Sequence, residues 1–97
     1  MKWTLETLRQ RREEIERIAT RWGARKLRVF GSIARGDAGL TSDVDILVEF
    51  EPDRSLLDHG GLLMDLQEAL DCRVDVVDED GMRPRFRERV MKEAVAL

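Results

Sequence analysis

Three stretches of the chain carry apolar residues at helical spacing. The first stretch follows Thr4, a suitable N-cap, and ends near Gly23. Its apolar positions are Leu5, Leu8, Ile15, Ile18, Ala19 and Trp22. The second covers Ser55 to Leu70, although Gly60-Gly61 interrupts it and weakens the helical pattern. The third begins at Pro84, which suits the first turn of a helix. Its apolar positions are Phe86, Val90, Ala94 and Leu97.

Between these stretches lie three short segments typical of strands, at Leu27–Phe30, Val44–Phe50 and Arg73–Asp78. A helical turn is predicted over Ile33–Gly36 and a loop over Gly36–Thr41. The predicted order is therefore α-β-α-β-α-β-α. It indicates a small mixed sheet flanked by helices, which is a mixed α/β (α+β) fold.

The composition sets limits on this fold. At 97 residues, with 42% hydrophobic and 5% aromatic residues, the chain suits one domain with a modest aliphatic core, so we expect a single domain over 1–97. The N-terminal segment lacks a signal-like apolar stretch, and no segment approaches the ~20 apolar residues of a membrane span. Cys72 is the only cysteine. We therefore expect a cytoplasmic protein with no membrane association and no intrachain disulfide.

Charge is distributed unevenly along the chain. Residues 1–28 carry nine Lys or Arg against four Asp or Glu, and residues 81–97 carry five against two. The middle, residues 29–80, carries three against fourteen. Basic ends are usually solvated helix faces, but the acidic middle repels itself and is easier to explain if some carboxylates bind cations. Because the whole chain is acidic, no direct nucleic-acid binding is expected.

Gly31-Ser32 separates the first predicted strand from the helical turn. Glycine permits a close approach of the backbone to a ligand, and amides that open a helix suit a phosphate. Ser32 adds a hydroxyl donor. In isolation such a pair is more often a turn with an N-cap.

Ser42-Asp43-Val44-Asp45 lies where the clearest strand begins. Residues two apart in a strand face the same side, so Asp43 and Asp45 would project together, their Cα atoms ~6–7 Å apart. Carboxylates this close favour a hard divalent cation between them. A lone pair of this kind is more often a solvated strand end.

Asp75 is an acidic residue within a β-branched run, where strand propensity disfavours it. If Val74 and Val76 face the core, Asp75 shares the opposite face with Arg73 and Val77. An exposed strand face or an arginine ion pair would explain it. If this strand lies beside Val44–Phe50, Asp75 instead completes a three-carboxylate cluster, which suits two metal ions and in-line phosphoryl chemistry.

Taken together, Gly31-Ser32, ten intervening residues and Asp43-Val44-Asp45 form a GSX10DXD signature. It resembles the DNA polymerase β-like nucleotidyltransferase superfamily. The longer string GSIARGDAGLTSDVDILVEF and the tail RVDVVDEDGMRPRFRERVMKEAV are similar to its minimal nucleotidyltransferase (MNT) antitoxins. The resemblance covers residues 24–97 best. Asp71-Cys72 and Gly60-Gly61 depart from similar sequences, outside the motif.

The resemblance implies a role for each matching residue. Gly31 and Ser32 would hold the nucleotide phosphates, and Arg35 would reach a phosphate or form a surface ion pair. Asp43, Asp45 and Asp75 would be the catalytic carboxylates that bind Mg²⁺, as two ions, with Asp75 also activating the acceptor hydroxyl. ATP would be the substrate.

The resemblance also implies a partner and a reaction. Similar MNT proteins transfer AMP from ATP to a tyrosine of a HEPN-domain toxin, which silences its RNase activity, and an oligomer with the toxin is possible. Two alternatives remain open: an antitoxin that neutralises the toxin by binding alone, and a nucleotidyltransferase acting on a small molecule or RNA. For His59, the only histidine, a solvated or capping role is favoured over catalysis.

Overall fold

One mixed sheet of four strands organises the chain. The computed structural model describes residues 3–39 and 43–97. The strands are β1 (Ala24–Phe30), β2 (Val44–Phe50), β3 (Val74–Asp78) and β4 (Val95–Ala96). Their order in the sheet is β3-β2-β1-β4, in which β1 runs antiparallel to β2 and β4, and β2 runs parallel to β3. The second and third strands are therefore neighbours, which is the condition under which Asp75 would lie near Asp43 and Asp45.

In the described part of the chain five helices accompany the sheet, and a 3₁₀ turn at Glu79–Gly81 follows β3. They are α1 (Leu5–Gln10), α2 (Arg12–Arg21), α3 (Gly31–Arg35), α4 (Leu56–Leu70) and α5 (Pro84–Glu93). The mixed α/β fold class predicted from the sequence is confirmed. Within the described ranges, no helix has the length and apolar character needed to cross a membrane.

Two groups of buried side chains lie on the sheet. The larger joins alternate β2 residues, Val44, Ile46 and Val48, to fully buried leucines and isoleucines of α1, α2 and α4. The smaller consists of Phe30, Leu47 and Val90. Because side chains alternate along a strand, Asp45 shares its face with Leu47 rather than with the larger core. The face that carries Asp45 is thus covered by α5.

The first predicted helix is two helices. Arg11 ends α1 and begins α2 with φ −105° and ψ 15°, which is not a helical conformation. Its guanidinium donates to the Ala69 carbonyl (2.8 Å) and to Glu14 in the next turn (2.8 Å). The contact with Ala69 joins the bend to the end of α4. Apolar periodicity alone could not reveal the break, because Leu8 and Ile15 are both fully buried on either side of it.

The end of the chain was wrongly predicted as helix. Ala94 adopts the extended conformation (φ −65°, ψ 135°), so α5 ends at Glu93. β4 then pairs with Arg28 and Val29, and the Leu97 amide donates to the Leu27 carbonyl (3.2 Å). The strand β1 also begins three residues earlier than predicted. Leu97 is buried, so its apolar character reflects the core and not a helix repeat.

Gly60-Gly61 does not interrupt α4, which runs unbroken from Leu56 to Leu70. A Cβ on Gly61 would lie 2.5 Å from the Trp22 ring. The ring can pack here only because Gly61 has no side chain. Trp22 also donates from Nε1 to Asp65 of α4 (2.8 Å). Gly61 is therefore a packing residue between α2 and α4.

Candidate active site

The register of three strands brings the motif together at one end of the sheet. Phe30, the last residue of β1, is paired with Asp45 near the beginning of β2. The next residue, Gly31, therefore lies against Asp45. On the other side of β2, Asp45 is the register partner of Asp75 in β3. Neighbouring strands are about 4.8 Å apart, so the two carboxylates are directly adjacent. Residues 40–42, which include Ser42 and the end of the predicted loop, lie outside the described residues.

Two structural features favour glycine at position 31. Its φ is +73°, in the left-handed region that residues with a Cβ rarely adopt. A Cβ at this position would also collide with Oδ2 of Asp45. The absence of a side chain therefore lets the backbone between β1 and α3 lie directly on the Asp45 carboxylate.

Asp45 is the electrostatic centre of the cluster. Its pKa is raised from 3.8 to about 6, first by burial and then by the charges of Asp75, Asp43 and Glu93, while Arg35 opposes the shift. Burial and like charges both disfavour the ionised form. The cluster therefore concentrates negative charge at the start of β2, as the sequence predicts.

The two flanking carboxylates are more open to solvent. Asp75 is exposed, while Asp43 is half-buried. The guanidinium of Arg73 lies 3.8 Å from Asp43 and is itself 87% exposed, so this ion pair is weak. The sequence left open an ion pair between an arginine and Asp75. Arg73 instead approaches Asp43, which leaves Asp75 at the open side of the cluster.

A divalent cation fits the chemistry of these donors. Ionised carboxylates are hard oxygen ligands, and a cation beside Asp45 would offset the repulsion that raises its pKa. Within residues 3–39 and 43–97, no group of three or more His, Cys, Asp or Glu side chains is by itself arranged to hold a metal ion. Mg²⁺ is commonly bound by one or two carboxylates together with substrate phosphates, and such sites need no complete protein cage.

The residues predicted to hold phosphates lie on α3. The amide of Gly31 begins this short helix, and Ser32 is half-buried next to it, with no hydrogen bond from its hydroxyl to the described part of the chain. Arg35, in the last turn of α3, forms ion pairs with Asp37 and Glu93, both at 3.2 Å. The ion-pair alternative for Arg35 is thus present in this structure, and its contact with phosphate stays a prediction.

Glu93 contacts the candidate site but was not among the residues predicted for it. It is the last residue of α5, and its Oε1 accepts a short hydrogen bond from the Gly31 amide (2.6 Å). The same carboxylate pairs with Arg35, and its charge contributes to the raised pKa of Asp45. It lies 62 residues from Gly31 in the chain and outside the GSX10DXD signature. Only the packing of α5 on the sheet brings it to the site.

His59 lies away from this cluster, on α4. Its Nε2 is 2.9 Å from the Val76 carbonyl oxygen, and its ring stacks on Phe50 with the centroids 5.5 Å apart. The prediction of a solvated or capping histidine was therefore wrong in detail, because the ring joins α4 to the sheet.

Comparison with known proteins places this arrangement in a family. The family model described as a nucleotidyltransferase domain matches residues 11–97, which include all six predicted site residues. The chain belongs to the nucleotidyltransferase domain family. The resemblance drawn from the GSX10DXD signature is confirmed, and so is the assignment of the chain as a nucleotidyltransferase enzyme.

Two relatives of this nucleotidyltransferase cover most of it. Protein adenylyltransferase MntA of Thermococcus cleftensis is 42% identical over 91 residues, covering 86% of this chain and 92% of the relative. A protein of Methanocaldococcus jannaschii, provisionally named a protein adenylyltransferase, is 41% identical over 78 residues, covering 80% and 84%.

Solved structures agree with the fold. One that is provisionally described as a minimal nucleotidyltransferase has a TM-score of 0.86 and 52% identity, and the match covers 98% of this chain and 97% of that one. A toxin–antitoxin structure with AMP-PNP has a TM-score of 0.75 at 23% identity, over 87% of this nucleotidyltransferase and 69% of that chain. The latter supports the fold alone.

Proposed function

We propose that this nucleotidyltransferase moves AMP from ATP to a tyrosine hydroxyl of a HEPN-domain toxin and so silences the toxin. The observation that carries the proposal is the position of Asp45, which lies between the Gly31 backbone on one side and Asp75 on the other. A phosphate-binding loop and acidic metal ligands are thereby adjacent, as nucleotidyl transfer requires.

Each residue of the site has a part in this proposal. The Gly31 amide and the Ser32 hydroxyl donate hydrogen bonds to the phosphates, and Arg35 adds a positive charge. Asp43, Asp45 and Asp75 hold Mg²⁺, with two ions expected. Bound Mg²⁺ would neutralise phosphate charge and polarise the reacting phosphorus.

The acceptor approaches from the side of Asp75, the exposed member of the cluster. The tyrosine oxygen forms a bond to the α-phosphorus, the bond to the bridging oxygen of pyrophosphate breaks, and pyrophosphate leaves. Asp75 accepts the proton of the tyrosine hydroxyl. These 97 residues contain no tyrosine, so the acceptor tyrosine lies outside them, and we assign it to the toxin.

The relatives support the choice of nucleotide and acceptor. Two relatives above 40% identity carry the name protein adenylyltransferase. Structures with the same fold include the toxin–antitoxin pair MntA–HepT, and one toxin–antitoxin structure contains AMP-PNP. By extension from these proteins, we propose ATP as the nucleotide of this chain and a HEPN-type toxin as its protein acceptor.

The test is to map the modification on the partner. A HEPN-domain toxin, taken as the partner, is incubated with this chain, ATP and Mg²⁺, and is then digested and analysed by mass spectrometry, while its RNase activity is followed. We expect an adenylyl group on a tyrosine and loss of RNase activity. Loss of activity without any adduct would indicate neutralisation by contact alone. An adduct on RNA or a small molecule, with the partner unmodified, would indicate the other alternative.

A further inference from the structure

The donors assigned to phosphate already hold an anion of the protein itself. The Glu93 carboxylate accepts a hydrogen bond from the Gly31 amide, with 2.6 Å between N and Oε1. Both carboxylate oxygens also lie 3.2–3.3 Å from Nη1 of Arg35. A carboxylate bound by a backbone amide and a guanidinium makes the same kind of contacts as a phosphate oxygen. We infer that Glu93 is an internal competitor of the triphosphate and leaves these donors when the nucleotide binds. This inference rests on the proposed function.

The surroundings of Glu93 favour its departure once the donors are taken. Glu93 is the last residue of α5, where the helix dipole disfavours a negative charge. Its charge also repels Asp45, which lies on the other side of Gly31. The contacts with Gly31 and Arg35 therefore stabilise this position of Glu93, whereas the helix dipole and the charge of Asp45 disfavour it. A bound phosphate would remove the favourable contacts and add a third repulsion.

Glu93 can move without a rearrangement of the fold. Its side chain is 30% exposed, and α5 ends at this residue before the extended Ala94. The nearby Lys92 pairs with Glu88 and not with Glu93. A change of side-chain rotamer into solvent is therefore enough to free the Gly31 amide and Arg35.

Such a competitor lowers the affinity of the site for phosphate ligands. A ligand must replace a charge-assisted hydrogen bond and an ion pair before it gains affinity. Every ligand that displaces Glu93 loses affinity by the same factor, because it binds only the fraction of molecules in which Glu93 has left the donors. Glu93 thus weakens nucleotide binding and promotes the release of products.

The test compares nucleotide affinity in Glu93→Gln with that in the wild-type protein. Calorimetry with ATP and Mg²⁺, and again with Mg²⁺-tripolyphosphate, should show about tenfold tighter binding by Glu93→Gln for both ligands. Glu93→Asp keeps the charge but shortens the side chain by one methylene group, and it should give a smaller gain. Glu88→Gln, on the same helix and 71% exposed, is the matched control and should not differ from wild type.

Thermal unfolding supplies a second measurement. Without ligand, Glu93→Gln should melt below wild type because its contacts with Gly31 and Arg35 lose their charge. With saturating Mg²⁺-ATP this difference should shrink. Unchanged or weaker ATP binding by both Glu93 variants, with normal binding by wild type, would overturn the inference and leave the proposed function standing. A wild-type protein that does not bind ATP at all would contradict both.

Discussion

Among single residues, Gly31 brings the beginning of α3 against the acidic cluster. Its positive φ and its contact with Asp45 are separate requirements, and Gly36 meets only the first of them. Gly36 has a φ of +82° with open space around the position of a Cβ. A comparison of substitutions at Gly31 and Gly36 therefore separates the free-energy cost of the backbone conformation from that of the steric clash with Asp45.

We predict that Gly31→Ala lowers the free energy of unfolding by roughly 2–4 kcal/mol, since backbone strain and a steric clash with Asp45 combine. Gly36→Ala, with strain alone, should cost about 1 kcal/mol. Urea denaturation of the two variants measures both values. Equal losses would show that Gly31 does not lie against Asp45 as described.

Asp45 allows a prediction about pH. Its pKa in the fold is about 6, above the ordinary value of 3.8. The folded state therefore binds more protons than the unfolded state between these values, and the stability from this group is complete below pH ~4 and is lost as the pH rises through 6. Asp45→Asn should stabilise the metal-free protein above pH 6, by about 1 kcal/mol once partial exposure is allowed for, and should have little effect near pH 4.

The measurement is thermal unfolding in EDTA from pH 4 to 8, with Asp80→Asn as a control at an exposed position in the turn after β3. The control should follow wild type throughout. If Asp45→Asn is less stable than wild type above pH 6, the carboxylates do not repel one another in the fold.

At the scale of elements, α4 contains two adjacent glycines with opposite roles. Gly60 has open space where a Cβ would be, whereas Gly61 is in contact with Trp22. Gly60→Ala should stabilise the protein by about 0.5–1 kcal/mol, because alanine has the higher helix propensity. Gly61→Ala should destabilise it by about 1–2 kcal/mol, because the clash with the Trp22 ring outweighs the same gain. Melting curves of the two variants test this, and stabilisation by both would contradict the packing of Trp22.

The elements also show what the sequence can and cannot predict. β2 was predicted with its observed bounds because its apolar run is long and β-branched. Asp45 and Asp75 could be expected to lie side by side because alternation along a strand and pairing of neighbouring strands follow simple rules, whereas their role as a site with Asp43 stays a prediction. Glu93 was missed because its role depends on where α5 ends and how it packs. The break at Arg11 was missed because a bend leaves the apolar period intact.

At the scale of the whole molecule, the acidic middle of the chain has a structural counterpart. Residues 29–80 hold fourteen of the twenty carboxylates, and three of them meet at one end of the sheet. Binding of Mg²⁺-ATP should relieve this repulsion and stabilise the entire fold. At a ligand concentration about 100-fold above Kd, linkage gives about 2.7 kcal/mol.

This stabilisation should appear as a Mg²⁺-dependent rise in Tm with ATP. The double variant Asp43→Asn, Asp45→Asn should remain folded and lose the rise. Ser32→Ala should keep part of it, since one hydrogen bond to a charged group is worth roughly 1.5–3 kcal/mol. A wild-type ligand shift in the double variant would exclude both aspartates as metal ligands.

The most direct test of nucleotidyl transfer follows the phosphorus atoms of ATP. The chain and a HEPN-domain toxin, taken as the proposed partner, are incubated with Mg²⁺ and ATP labelled at the α-phosphate, and in parallel with ATP labelled at the γ-phosphate. Label from the α-position should enter the partner, label from the γ-position should leave as pyrophosphate, and Asp45→Asn should abolish the transfer. Transfer of the γ-label to the partner would mean that the enzyme is a kinase and would exclude nucleotidyl transfer.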